Sequence, residues 1–446
     1  MTKVWERVER LYDWLVEDGD GRVCTAISDE ACREVPYNFF GQLISNTLTK
    51  VGDRLANPKT TLAWLLEALA APSIFTGLIV PLRESGSMLP QIVIAGFVRR
   101  LPVRKWVWVV GSVLQAVAVA GMALVALNLS GVAAGWGIVG CLVIFSLARG
   151  LCSVASKDVL GKTIPKSRRG RLKGWMSSAS GLIAVGVGVL LLVQGRPEGG
   201  ASVALYAGLL LGAAGLWILA ALIFAGLREF EGETDGSDHA LKEAFAQMRV
   251  LRTDRAFRRF VLVRALAIGS GMGTPFVIAL AHQQLGGSVL WLGLFIIADG
   301  LAALVAAPLL GRWADRSSRS LLRVAMVGSG LLLVMVAGLS LGALPVAVLQ
   351  VLFPLIFLLV GVVHSGVRLG RKTYLVDMAE GNQRTTYVAV SNTLIGIMLL
   401  ASGVVTGLVS LISIPGVLVL FAGAAGLGAF LGRGLPEVGA DTNSRK

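Results

Sequence analysis

Residues 46–61 read NTLTKVGDRLANPKTT. Lys50, Asp53, Arg54 and Asn57 stand at i, i+3, i+4 and i+7, which is one face of an α-helix, and Pro58 follows directly. Within a bilayer each ionisable group costs several kcal/mol, roughly 2.5 to 3.5 by insertion scales, and survives only against water, a partner or a ligand. Whether this stretch crosses a membrane therefore decides both the fold and the site.

Composition answers the first half of that question. The chain has 446 residues, 55% hydrophobic and 15% charged, with 55 glycines and a mean hydropathy of +0.73. Soluble domains carry nearer a quarter charged residues, and the apolar runs repeatedly meet the roughly 20-residue requirement of a spanning helix. An all-α polytopic membrane protein follows; a barrel is excluded because alternating ten-residue segments are missing. The formal charge of +14 falls in short clusters between apolar runs, the pattern of positive-inside topology rather than of nucleic-acid binding. Cys24, Cys32, Cys141 and Cys152 form neither a CxxC pair nor a disulfide framework and read as reduced thiols. Met1–Pro36 lacks the apolar core of a signal peptide. It carries an amphipathic stripe of Val4, Trp5, Val8, Leu11, Tyr12 and Leu15 instead, so it is expected in the cytoplasm.

Helix counting places the opening stretch. Hydropathy favours a first span at 61–82, but that choice leaves only Gly86–Val98 before Arg99 and Arg100, too short to recross about 30 Å of hydrocarbon. A first helix from Pro36 to Leu69 and a second from Ser73 to Val98 repair the count. They put the polar stripe, Arg83 and Glu84 at mid-membrane. Ten further spans bring the total to about twelve, divided into a cytoplasmic segment (1–36), a six-helix bundle (37–228), a cytoplasmic linker with an amphipathic helix (229–255), a second six-helix bundle (256–433) and a tail (434–446). Expected inner loops hold Arg104, Lys105, Arg169, Arg319 and Arg323, whereas the expected outer turns are nearly free of basic residues. This predicts a multi-pass protein of the cytoplasmic (inner) membrane with both termini inside.

Sliding the second half over the first at an offset of 215 pairs Gly96 with Gly311, Arg104 with Arg319, Glu84 with Asp299, Arg149 with His364 and Gly188 with Gly403. Two parallel six-helix repeats about an axis normal to the membrane are a transporter architecture, with the site between them at mid-membrane.

The loop GRWADRSSR, Gly311–Arg319, resembles the G-x-x-x-D-R-x-x-R loop motif of the major facilitator superfamily, and GFVRRLPVR, Gly96–Arg104, resembles a weakened copy. The resemblance covers about residues 37–433. It implies twelve transmembrane helices in two pseudo-symmetric bundles and a conformational latch at Gly311, Asp315, Arg316 and Arg319, in which the aspartate caps a neighbouring helix and pairs with arginine. The first-half counterpart of Asp315 is Arg100, a departure from the pattern. The fifth helix also lacks the Gly-Pro signature of the drug/proton antiporters.

Within the spans the candidate solute- and ion-binding residues are Lys50, Asp53, Arg54, Asn57, Arg83, Glu84, Arg149, Asp299 and His364. Structural ion pairs are the competing reading for Arg83 and Glu84, and a satisfied core histidine is the competing reading for His364. Basic groups outnumber acidic ones, as a cavity for an anionic or zwitterionic solute requires. Trp64, Trp106, Trp108 and Trp291 read as an aromatic belt at the interfaces, and Gly403 and Gly407 as a close-packing motif. There is no nucleotide-binding loop, no nucleophile with a paired base and no metal-ligand cluster. The expectation is a monomeric secondary transporter working by alternating access, without cofactor, whose partners are the lipid bilayer, a small-molecule solute and protons. The alternatives are an exporter of amphipathic compounds and a non-transporting sensor or assembly factor that uses the N-terminal segment as its arm.

Overall fold

The computed structural model describes residues 29–194, 202–232, 234, 248–342, 344–378 and 383–438. The N-terminal stripe, residues 241–247 of the expected linker helix and the end of the tail lie outside these residues, as does the side chain of Asp315.

Among the described residues the regular structure is helical. A short α1 (Asp29–Arg33) leads into α2 (Val35–Leu55) and α3 (Thr61–Ala68), which together occupy the first expected span; α4 (Ser73–Met88) and α5 (Gln91–Arg99) occupy the second. Then come α6 (Lys105–Asn128), α7 (Gly131–Thr163), α8 (Lys166–Gln194) and α9 (Val203–Ala225). After α10 (Val250–Thr253) the second half begins with the broken helix α11 (Arg255–Leu266), α12 (Gly269–Met272) and α13 (Thr274–Leu285). It continues through α14 (Val289–Arg316), α15 (Ser318–Leu341), α16 (Val346–Asp377), α17 (Gln383–Ser410) and α18 (Ile414–Leu431). Among the described residues, ten helical stretches are long and apolar enough to cross a membrane. The first two expected spans fall outside that criterion because each is split and carries charges.

The split in the first span is local chemistry. Pro58 has no N–H to donate and cannot continue the helix. The Asn57 side-chain oxygen takes the Lys59 amide at 2.9 Å, and the Asn57 carbonyl takes the Leu62 amide at 3.0 Å. The helix is thus broken completely between Leu55 and Thr61. Its counterpart at the 215-residue offset, Gly273, sits in the α12–α13 break, so both halves interrupt their first helix at the same depth.

The halves meet through two seams, α4 against α17 and α8 against α14. Since α4 and α14 are repeat counterparts, as are α8 and α17, the seams are equivalent. Each is closed by glycine. A Cβ on Gly77 would stand 2.6 Å from Gly407 Cα, and one on Gly293 would stand 2.8 Å from the Gly188 carbonyl oxygen. Such approaches let backbones touch directly.

Burial separates the two ends of the bundle. Toward the end bearing the Leu69–Pro72 and Gly286–Ser288 turns, one core joins both halves, with Trp64, Phe75 and Phe145 packed into the same cluster as Phe276, Phe295 and Phe353. Toward the basic end the core divides. Phe257, Phe260 and Tyr374 form a cluster of the second half alone, while Trp108 with Phe224 and Phe39 with Leu172 belong to the first. The molecule is sealed at one face and parted at the basic face. On that basic face, Glu229 is fully buried beside Lys162 at 3.0 Å and accepts the Lys105 amide at 2.6 Å, capping α6.

Two expectations are corrected here. Trp64, Trp108 and Trp291 are buried core residues, and only Trp106 is exposed as a belt residue would be; hydropathy does not distinguish a lipid-facing from a core-facing indole. Cys141 and Cys152 are free thiols, but Cys32 is disulfide-bonded. Pairing depends on spatial proximity of the two Cα atoms, which spacing along the sequence does not report.

Candidate functional site

Between the halves lies a cavity of about 730 Å³. The break between α2 and α3 contributes Asn57, Pro58 and Lys59 to its lining, and Thr274 lines it beside the α12–α13 break; a bilayer tolerates irregular chain only where it lines a cavity or is buried in protein. All nine candidate residues line it: Lys50, Asp53, Arg54 and Asn57 from the first span, Arg83 and Glu84 from α4, Arg149 from α7, Asp299 from α14 and His364 from α16.

Three ionic groupings organise them. In the first half, Asp53 Oδ1 accepts both Arg83 Nη2 at 2.8 Å and Arg149 Nη1 at 2.6 Å. One carboxylate thus holds two guanidinium groups, and the trio keeps a net positive charge. Arg83 also lies 5.2 Å from the Phe145 ring centroid, a face that attracts cations. Across the halves, Arg54 Nη1 meets Asp299 Oδ2 at 2.9 Å. Also across the halves, Lys59 Nζ stands 2.9 Å from His364 Nε2.

The last contact fixes a tautomer. An ammonium only donates, so Nε2 accepts and the ring proton sits on Nδ1, which faces Ser270 Oγ at 3.1 Å. Ser270 in turn donates to the Ala267 carbonyl at 2.9 Å. The chain of donors is consistent throughout, and it makes His364 a neutral acceptor; a second proton on the ring would break the Lys59 bridge. Glu84 is different. Among the described residues its carboxylate has no ion-pair or side-chain hydrogen-bond partner, although it lines the cavity.

Of the expected latch residues, Gly311, Arg316 and Arg319 lie outside the cavity. Gly311 and Arg316 belong to the end of α14, with Arg316 exposed. Arg319 bridges to Glu437 at 2.6 Å and donates to the Leu435 carbonyl at 2.9 Å. Its first-half counterpart, Arg104, pairs with Asp158 at 3.2 Å.

Sequence reasoning left four residues out of the site. Lys59 belongs to it through His364, and Arg368 lines the cavity. Arg371 and Arg264 lie just beyond, within electrostatic reach of each other. Arg368 and Arg371 follow His364 at i+4 and i+7, on the same helix face, but they fall in the basic end of the span together with Lys372. Arg264 gave no signal among its neighbours Arg258 and Arg259.

Comparison with known proteins agrees with this architecture. The described fold is similar to that of a D-xylose-proton symporter (14% identity, TM-score 0.66, covering 90% of this chain and 99% of that one). It is also similar to the nucleoside transporter NupG (15%, 0.65, 89% and 98%) and to a POT family transporter in complex with 5-aminolevulinic acid (11%, 0.68, 89% and 95%). At such identities the likeness is one of fold. No curated protein matches the sequence. The family model of the Major Facilitator Superfamily matches residues 43–400, most of the two repeats, the broken first helix and the cavity between them. The chain belongs to the major facilitator superfamily.

Proposed function

We propose that the protein is a secondary active transporter that carries a small anionic solute by alternating access, with protons as the coupling ion. One observation carries the reading: six basic side chains line the cavity against three acidic ones. In a low-dielectric site such an excess favours a negatively charged occupant. Both cross-half contacts, Arg54–Asp299 and Lys59–His364, involve groups that gain or lose charge. Protonation of Asp53, which holds Arg83 and Arg149, or of Asp299 or His364, would release the basic partners, and a change that acts differently on two conformations moves the balance between them. Glu84 supplies a further protonatable group lining the cavity. The basic face is assigned to the cytoplasm by the positive-inside rule, and one chain is the transport unit because it encloses the cavity alone.

An exporter of amphipathic compounds would require a more apolar and acidic cavity. A non-transporting sensor would bind solute without flux. The test is accumulation of organic anions in proteoliposomes under an imposed pH gradient, with ligands first ranked by the rise in melting temperature that binding to the native state produces. Gradient-driven uptake, abolished by a protonophore and by Asp53→Asn in a folded protein, is the expected result. Binding without flux, or full accumulation by Asp53→Asn, would refute the transport reading or the coupling reading respectively.

A further inference from the structure

Beyond the central cavity, on the basic side of the second half, Arg264 is only 5% exposed. Its guanidinium is held by neutral acceptors, Ser391 Oγ through Nη1 and Asn392 Oδ1 at 2.8 Å through Nη2, and its Nε is buried without a partner. The Arg371 Nε is likewise buried without a partner. Arg368, one turn earlier on α16, opens onto the cavity. Arg371 lies within electrostatic reach of Arg264 and of Arg368, Lys372 within reach of all three, and Glu84 is the acidic group that faces Arg371 and Lys372. Four cations opposed by one carboxylate, two of them with donors aimed at nothing, form a site that lacks its anion: burying charge without compensation is strongly unfavourable.

We infer that Arg264, Arg368 and Arg371 form a second binding site that takes a doubly charged oxyanion group, the phosphate of a phosphorylated solute. The charge argument favours a doubly charged group, since four cations against Glu84 leave a net charge of +3, which one negative charge reduces only to +2 and two reduce to +1. Guanidinium geometry favours the group, because planar forks donate in pairs to tetrahedral oxyanions. Ser391 and Asn392 orient Arg264, so they are positioning residues. The site lies on the parted side, where a solute entering from the basic face meets it before Lys59 and Arg149. This inference rests on the anionic-solute reading and narrows it to phosphate-bearing solutes.

The experiment is calorimetric titration of inorganic phosphate into the full-length protein, held in nanodiscs of phosphatidylcholine, with acetate as the singly charged comparison. Saturable phosphate binding is expected, weakened roughly tenfold or more by Arg371→Gln and by Arg264→Gln, as for loss of hydrogen bonds to a charged group. Arg371→Lys, which keeps the charge but loses the fork, should recover part of it. Arg368→Gln, on a cavity-lining side chain, serves where the buried variants fail to fold. Lys157→Gln removes an exposed charge in the first half and should leave the affinity unchanged. Absence of phosphate binding, or binding that survives Arg371→Gln and Arg368→Gln but is lost in Arg149→Gln, overturns the second site; the latter result leaves the anionic cavity standing. Competition by phosphatidylglycerol in the discs would overturn the assignment to a solute in favour of a lipid headgroup.

Discussion

Substituting Gly77 by alanine adds one methyl group at the seam between the halves. Its Cβ would stand 2.6 Å from Gly407 Cα and 2.8 Å from Gly407 N, where carbon contacts ordinarily settle at about 3.5 to 4.0 Å. Both obstructing atoms are helix backbone and cannot rotate away, so α4 and α17 must separate by about 1 Å. Overpacking of this kind costs about 1 to 3 kcal/mol. For a domain the size of one half, each kcal/mol lowers the melting temperature by about 2 to 4 °C. The strain falls on the way the halves meet, so uptake should slow together with the loss of stability. Gly140→Ala and Gly423→Ala are the controls, since a Cβ at either position meets nothing within 4 Å and alanine is the better helix former. Melting temperatures and initial uptake rates of the three variants decide the matter. If Gly77→Ala melts as high as the controls and transports at their rate, the seam is not the close backbone contact described.

Glu229→Ala should lower stability by about 3 to 5 kcal/mol, the usual cost of stranding the partner of a buried pair, because the carboxylate serves both Lys162 and the α6 amino terminus; thermal melting measures it, and a change below about 0.5 kcal/mol would contradict the cap. Lys59→Met should remove the cross-half bridge and free His364 Nε2, so that the pH dependence of uptake changes shape while phosphate affinity at the basic mouth stays the same; an unaltered pH profile would count against the bridge. Outside the membrane, burial opposes ionisation of Asp254, but hydrogen bonds from Tyr387 and from the Phe257 and Ala256 amides outweigh it and hold the carboxyl below its ordinary value. A depressed pKa stabilises the fold above the unfolded-state value and is lost as pH falls through the folded one. Tyr387→Phe should therefore cost stability at neutral pH and narrow the gap from wild type on acidification below about pH 4.

Much of this architecture is legible in the sequence because the bilayer restricts the alternatives. A fixed hydrocarbon thickness forced the first helix back to Pro36, and the 215-residue offset then placed Glu84 opposite Asp299 and Arg149 opposite His364. What the sequence withholds is rotation about each helix axis. Asp53 has several basic candidates within the spans; it takes Arg83 and Arg149, a choice made by how α2, α4 and α7 face one another. Trp64 lies deep in the core for the same reason. Arg368 and Arg371 were hidden by a different effect: α16 continues to Asp377, so arginines that fit the basic flank of a span in fact sit one and two turns inside the helix. Glu67, near the far end of the first span, is half-buried beside Gln283, since that end is the sealed one.

The single core that seals the face opposite the arginines has a thermal consequence. Opening that face would bring part of the joint cluster around Trp64, Phe276 and Phe295 into contact with water, and each 100 Å² of apolar surface so wetted adds roughly 45 cal/mol/K of heat capacity. The balance between the two open forms is then curved in temperature rather than linear. Cooling weakens the hydrophobic seal, and the form open on the far side gains population at low temperature for the same reason that globular proteins lose stability in the cold.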